Sequence, residues 1–484
     1  MKKEKKKIFV IVGAVVACLA VVYVGFGIFF QSHFCFGTTI DGIKAGGKSV
    51  EKVERLITEE IDSYVLNLAE REDGSESISG ESIQIAPVFN GEVEELLNGQ
   101  NGFAWVVTLF KHDNLELAKV VTFDEDALDS QIDQLNCMQA SEQREPVDAT
   151  VSAYTADGYS LVPADYGTTI DKNTFKKAVE DSILVLADEL DLDEADCYVK
   201  PEIEDDNEKL LAVIDEMNSY VGTTITYDFD VAKEVLDGER ISEWLSVDDD
   251  LNLVVDEEGV LSFVKELASE YNTCYKPKEL KTSYGSTVTI SNGPYGWKIN
   301  NSEEVAQILD DLKAGKKVER EPVYAQTANS HGENDYGNSY VEINLTAQHL
   351  FLYKDGVLVT ESDFVSGNVA KGHATPGGAF MLTYKTLNAV LRGPDYETPV
   401  TYWMPFNGDI GMHDLTSRKA FGGDIYKTRG SHGCINLPYS AAKKIYETID
   451  KGYCVLVYNL PGTESDTVKQ KEATAVVNTI NSIG

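Results

Sequence analysis

The densest group of reactive side chains in this 484-residue sequence is Gly411-Met412-His413-Asp414 followed by Arg429-Gly430-Ser431-His432-Gly433-Cys434-Ile435-Asn436, with His432 nineteen residues beyond His413. A cysteine among histidines suits nucleophilic catalysis, because the thiolate is the attacking species and an imidazole of ordinary pKa, about 6.5, supplies a base near neutral pH. Cys434 is the candidate nucleophile and His413 the candidate base. On an extended backbone His432 and Cys434 share a face, Gly433 lets a substrate come close to the chain, and the amides of Gly433 and Cys434 would stabilise an oxyanion. Two other readings fit the same residue types: a cysteine simply buried ahead of a short helix, and a zinc site, for which no fourth ligand stands out. The remaining cysteines, at 18, 35, 137, 197, 274 and 454, form no CxxC pair or regular spacing and read as small buried hydrophobes rather than a disulfide framework.

The elements that must position these residues follow from periodicity. From Tyr340 the pattern is strand-like: Val341, Ile343 and Leu345 alternate with polar residues, and Leu350–Tyr353 and Val357–Thr360 flank Lys354-Asp355-Gly356, a hairpin signal. One helix, Tyr439 to Asp450, carries Ala442, Ile445, Tyr446 and Ile449, and a last strand runs from Tyr453 to Tyr458. Residues 340–459 therefore read as a mainly β domain. Upstream, Val50, Val53, Ile57 and Ile61 fall at helical spacing, as do Leu261, Val264, Leu267 and Ala268 in a helix from Val260 to Tyr271. The letters GTTID occur at Gly37–Asp41 and again at Gly167–Asp171, and a cousin, Tyr295-Gly296-Trp297-Lys298-Ile299-Asn300, precedes another amphipathic run; these are loosely repeated strand, turn and helix units. The expected organisation is α+β modules at 31–202 and 203–325, a polar linker at 326–339, the β domain at 340–459 and a tail at 460–484, with an acidic break at Glu202–Asp206 marking the first boundary.

Charge is distributed unevenly. The net charge is −38, yet residues 1–7 contain five lysines and one glutamate, and 340–459 hold eleven acidic and eleven basic residues, so the acidity sits in the middle of the chain. That middle is a poor surface for nucleic acid, which is excluded as a partner. From Ile8 to Phe30 run 23 uncharged, mostly apolar residues, enough to cross a bilayer core. Lysines on its N-terminal side predict a cytoplasmic tail at 1–7, a membrane helix at 8–30 and everything later outside. A cleaved signal peptide is the rival, but the apolar run exceeds an ordinary signal core and no small-x-small site ends it.

The run Ser431-His432-Gly433-Cys434-Ile435-Asn436, with His413 upstream, resembles the signature of the L,D-transpeptidase (YkuD-type) catalytic domain. Val365-Ser366-Gly367, Thr375-Pro376-Gly377-Gly378-Ala379-Phe380 and Tyr402-Trp403-Met404-Pro405-Phe406 are similar to further family elements. Asp256–Gly315, with Tyr284-Gly285 and Tyr295-Gly296-Trp297, resembles the peptidoglycan-binding module found ahead of that domain in Gram-positive enzymes. The stretch Leu415-Thr416-Ser417-Arg418 departs from the family, which often has an aromatic residue before the arginine.

The resemblance implies a cysteine acyltransferase of the cell wall, active on peptidoglycan stem peptides, needing no cofactor or metal and open to acylation by carbapenems. Cys434 would form a thioester on a tetrapeptide stem and pass it to the amine of a second stem, with His413 moving the protons, the Asp414 carbonyl orienting it, and His432 and Gly433 shaping the site. By the same resemblance Ser431 and Asn436 hold the loop and Arg429 meets a substrate carboxylate. By residue type Trp403, Met404 and Met412 are candidates to line the cleft, although aromatic and Met residues near the centre of a β domain more often pack in its core. An L,D-carboxypeptidase, with water as acceptor, and a non-enzymatic wall-binding protein are the alternatives, the second leaving His413 and Cys434 unexplained.

Overall fold

A computed structural model describes residues 2–117, 121–332, 334–393 and 396–465. The chain opens with a helix, Lys2–Phe29, in which only Gly27 is buried. Its uncharged stretch makes it long and apolar enough to cross a membrane.

The chain then forms two compact units, residues 1–152 with 161–207, and residues 153–160 with 208–484. In the first unit two helices, Val50–Asp62 and Lys172–Leu184, bury Val53, Ile57 and Ile61, and Phe175, Val179 and Ile183, each set four residues apart on one face. They pack beside a three-stranded sheet in which Val65–Ala69 pairs antiparallel with Ser75–Ser79 and parallel with Glu189–Asp191. The second GTTID copy ends in a helix cap: the Asp171 carboxylate accepts from the Thr174 amide at 2.7 Å. Asn300 caps the helix Asn301–Lys313 in the same way, whereas the first copy leads only into a turn after the short strand Thr39–Ile40.

A helix, Glu208–Val221, directly follows the acidic break and is not among the expected elements. Its Leu210, Val213, Ile214, Met217 and Tyr220 are buried. Thr224–Asp228 pairs antiparallel with Lys233–Leu236 and parallel with Lys317–Arg320, and the helices Glu257–Tyr271 and Asn301–Lys313 supply Val260, Val264, Ile308 and Leu312 to a shared core. A hairpin, Lys278–Lys281 with Thr287–Ile290, leaves this core and packs on the β domain that follows. There Leu280, Ile290 and Tyr295 meet Ala379, Cys454, Leu456 and Tyr458. Lys278 pairs with Asp335 at 2.5 Å with both side chains buried, and the Ser283 hydroxyl donates to Glu342 at 2.6 Å. The 326–339 segment takes part in this contact, since Asp335 and Tyr336 are buried. Trp297 is also buried, its ring stacked 3.9 Å from that of His331.

The β domain has two sheets. The larger runs in the order Val357–Asp363, His349–Lys354, Tyr340–Asn344, Cys454–Tyr458, Gly378–Met381, with Tyr340–Asn344 and Cys454–Tyr458 parallel. The expected hairpin is present, and its turn residues Asp355 and Gly356 have φ of 51° and 78°, the left-handed conformation of a tight two-residue turn. The smaller sheet orders Thr386–Gly393, Tyr396–Asn407, Ile410–Asp414 and Ile435–Leu437. Between the sheets, Val341, Ile343, Leu352, Phe364, Met412, Ile435 and Val457 form the core, closed by Ala442 and Ile445 of the helix Tyr439–Thr448.

Candidate active site

Two neighbouring strands bring the predicted pair together. Ile410–Asp414 runs parallel to Ile435–Leu437, with Met412 opposite Ile435 and His413 opposite Asn436. Cys434 stands immediately before the second strand, so the pairing sets it at the end of the ladder that carries His413. Both side chains line one cleft of about 190 Å³, together with Ser431, His432, Asn436, Arg418, Leu391 and Thr398.

The loop holding Cys434 is tied from below by backbone bonds. Val365 and Asn436 exchange both amide-to-carbonyl bonds at 2.9 Å, the Ser431 amide donates to Ser366 and the Asn368 amide to Ser431, again at 2.9 Å. Thr375 joins three segments: its hydroxyl donates to the Gly433 carbonyl at 2.6 Å and accepts from the Gly367 amide at 3.0 Å. Gly367 is sterically required, because a β-carbon there would meet the His373 carbonyl oxygen at 1.8 Å. The family-like segments around Val365 and Thr375 are thus the supports of the cysteine loop.

The loop is not extended. Residues 432–434 form a bend, and Gly433 has φ of +129°, a conformation that disfavours any residue with a side chain. His432 and Cys434 thus do not share a face by side-chain alternation, contrary to the expectation for an extended backbone; both reach the cleft because the chain turns. The Gly433 amide donates to the Ser431 hydroxyl at 3.0 Å, and that hydroxyl donates to the Cys434 carbonyl at 2.6 Å. Ser431 therefore braces the bend, and the Gly433 amide is already engaged rather than open to an oxyanion.

Cys434 directs its thiol at the carbonyl oxygen of Asp409, 3.6 Å away. Burial pushes its pKa up to about 11, a Gly411 backbone hydrogen bond works against the rise and the charge of Asp409 adds to it. His413 is 4% exposed. Burial holds its pKa below the usual value; the Asp414 carbonyl contact and carboxylate oppose this, and the charge of Arg418 reinforces it. Its Nδ1 lies 2.9 Å from the carbonyl oxygen of Asp414. The Asp414 carboxylate points elsewhere and accepts the amides of Thr401 and Tyr402 at 2.8 and 2.7 Å. Both shifts favour the neutral forms, a thiol and an imidazole, which suits proton transfer during attack rather than a standing thiolate–imidazolium pair.

Asn436 is buried, and its side-chain oxygen has no partner among the described residues. Gly433, Trp403, Met404, Met412 and Arg429 are expected site residues that do not line the cleft. Met404 and Met412 are fully buried in the core between the sheets, which corrects the reading of them as cleft lining. Trp403 is 6% exposed and packs with its ring 5.9 Å from that of His413, touching the base rather than the cleft. Arg429 is exposed and outside the cleft lining; only its backbone carbonyl approaches, accepting from Arg418 at 3.1 Å. Arg418, Leu415, Gly430, Leu391 and Thr398 line the cleft without being among the expected site residues. Leu391 and Thr398 face each other across the Thr386–Gly393 and Tyr396–Asn407 strands, a pairing with no local signature. The ring of His373 lies 5.0 Å from that of His432. Among the described residues, the group whose ligating atoms gather closely enough for a metal is Glu70, Glu76 and Cys137 of the first unit, not the cysteine and histidines of the cleft.

Family comparison matches residues 338–457 to the L,D-transpeptidase catalytic domain and residues 206–320 to a domain described as peptidoglycan-binding. Among solved structures, a cysteine-to-serine mutant of Enterococcus faecium L,D-transpeptidase is 32% identical, covering 51% of this chain and 99% of its own, with a TM-score of 0.42. The E. faecium catalytic domain acylated by ertapenem is 43% identical over 25% of this chain and 98% of its own, with a TM-score of 0.24. An L,D-transpeptidase from Stackebrandtia nassauensis is 31% identical over 28% of this chain and 60% of its own, with a TM-score of 0.23. No curated protein matches the chain.

Proposed function

Since residues 338–457 are an L,D-transpeptidase catalytic domain with a peptidoglycan-binding domain upstream, the chain belongs to the L,D-transpeptidase family, and we propose that it joins peptidoglycan stems through their third residues by way of a Cys434 thioester. The observation that carries this reading is the meeting of Cys434 and His413 in one cleft, with His413 Nδ1 held at the Asp414 carbonyl.

The chemistry follows from those atoms. A carbonyl oxygen only accepts, so Nδ1 of His413 bears the proton and Nε2 is the free base. Cys434 Sγ attacks the carbonyl carbon of the third residue of a tetrapeptide stem while its proton passes to Nε2. The bond to the terminal D-alanine breaks, and its nitrogen leaves with that proton. The side-chain amine of another stem then attacks the thioester, gives up a proton to His413, and expels Cys434, which recovers the proton. Since the thiol starts protonated, with a pKa of about 11, deprotonation and attack are coupled.

In this reading the Lys2–Phe29 helix anchors the chain in the cell membrane with the N-terminal lysines in the cytoplasm. The domains after it work outside, on the wall. The test is product analysis of the full chain with a tetrapeptide stem and an amine-bearing acceptor stem. Released D-alanine with a cross-linked dimer, absent for Cys434→Ala, is the expected result. Tripeptide without dimer would replace transfer by hydrolysis, and no D-alanine release at all would refute the enzyme.

A further inference from the structure

The cleft contains a cation that the reaction just described does not use. Six of the chain's eight arginines, Arg55, Arg71, Arg144, Arg240, Arg320 and Arg392, pair with carboxylates. Among the described residues Arg418 and Arg429 form no ion pair, in a chain whose net charge is −38 and where acidic partners are abundant. Arg418 lines the cleft with Cys434 and His413. One of its Nη atoms is fixed by the Arg429 carbonyl at 3.1 Å, and its buried Nε has no acceptor among the described residues. Burial and the adjacent charge of Arg429 both work against its protonated form. A half-buried guanidinium whose Nε is shut off from solvent with no acceptor is costly unless an anion completes it. The Asp414 carboxylate, in the same site, is held by the Thr401 and Tyr402 amides.

We propose that Arg418 is the carboxylate-binding residue of this cleft and that its ligand is the free C-terminal carboxylate of the donor stem. The identity of that ligand rests on the transpeptidase reading. In a tetrapeptide the terminal carboxylate is three bonds from the scissile carbonyl carbon, within the span of one cleft. In a pentapeptide it lies one residue further on, about 3.5 Å along the chain, and a neutral amide faces Arg418 instead. Arg418 thereby selects donors by length, a role the sequence had suggested for the exposed Arg429.

The experiment uses the full chain and two readouts. The first is alkylation of Cys434 by iodoacetate and by iodoacetamide at one mildly alkaline pH, which reports on an anion subsite without requiring turnover. The iodoacetate-to-iodoacetamide rate ratio should fall about tenfold in Arg418→Gln, the size expected of one close charge pair, be largely kept in Arg418→Lys, and be unchanged in Arg429→Ala. The second is D-alanine release from a tetrapeptide acid and from its C-terminal amide: Arg418→Gln should raise KM for the acid and cut the acid-over-amide ratio of kcat/KM about tenfold, the same size of effect, and Arg418→Lys should largely keep that ratio. Thermal melts of the variants establish that they are folded. If folded Arg418→Gln keeps both the alkylation ratio and the acid-over-amide preference, the proposal is overturned. A wild-type chain that turns over no stem peptide but shows the Arg418-dependent ratio would sink the transpeptidase reading and leave the anion subsite standing.

Discussion

The Nδ1 atom of His413 lies 2.9 Å from the carbonyl oxygen of Asp414, its own neighbour on the Ile410–Asp414 strand. The orienting group is thus backbone, and the Asp414 carboxylate is spent on the Thr401 and Tyr402 amides. Asp414→Asn keeps the carbonyl and should retain most activity, whereas His413→Asn removes the base. Acylation of Cys434 in His413→Asn should be slower by about 10² to 10⁴, the usual contribution of a positioned general base. Single-turnover D-alanine release by the two variants checks this, and a loss in Asp414→Asn as large as that in His413→Asn would be contrary.

The state of the thiol sets the pH dependence. A Cys434 pKa raised to about 11 keeps the sulfur protonated throughout the neutral range. In His413→Asn, where no base assists, alkylation by neutral iodoacetamide should climb about tenfold per pH unit between about pH 7 and about pH 10. The sign follows from burial: it favours the neutral thiol, so the reactive form is gained only as pH rises. A rate that levels off by about pH 8 would mean a standing thiolate.

Thr375 is the support whose loss should be felt furthest from its own position. Its hydroxyl bonds both the Gly433 carbonyl and the Gly367 amide. Thr375→Val keeps the shape and leaves those two buried groups unpaired, at a cost of about 1 to 3 kcal/mol for each such group. A lower melting temperature together with slower acylation is expected, and rescue by Thr375→Ser is the control.

Much of this architecture is legible in the residue order, and the parts that are not share a cause. The helices Val50–Asp62, Lys172–Leu184 and Glu257–Tyr271 follow from apolar residues three and four apart, and the Asp355-Gly356 turn from residues that accept positive φ. His413 and Cys434 stand out by their chemistry and by family resemblance. What the order hides is set by contacts between distant segments. The bend at Gly433 depends on Thr375 and Ser431, and the choice of Arg418 over Arg429 depends on which guanidinium turns inward. The hairpin Lys278–Lys281 with Thr287–Ile290 settles on the β domain because Leu280 and Ile290 find Leu456 and Tyr458 there. Nothing in its own alternation names that partner.

Met412 separates a core role from a cleft role. It is fully buried between the sheets, one residue before the base. Met412→Ala should cost about 2 to 5 kcal/mol of stability, the range for such truncations in a packed core, while the tetrapeptide KM of the protein that remains folded stays near the wild-type value. Chemical denaturation and steady-state kinetics measure the two. An unchanged denaturation midpoint with a raised KM would return Met412 to the cleft.

Intact mass spectrometry of the full chain mixed with a tetrapeptide stem and no acceptor shows whether Cys434 carries the acyl group. An adduct with the mass of the stem lacking its terminal D-alanine is expected. That adduct should map to Cys434, be absent from Cys434→Ala, and be discharged by an added amine-bearing stem. D-alanine release with no adduct on Cys434, or an adduct that persists in Cys434→Ala, would contradict it.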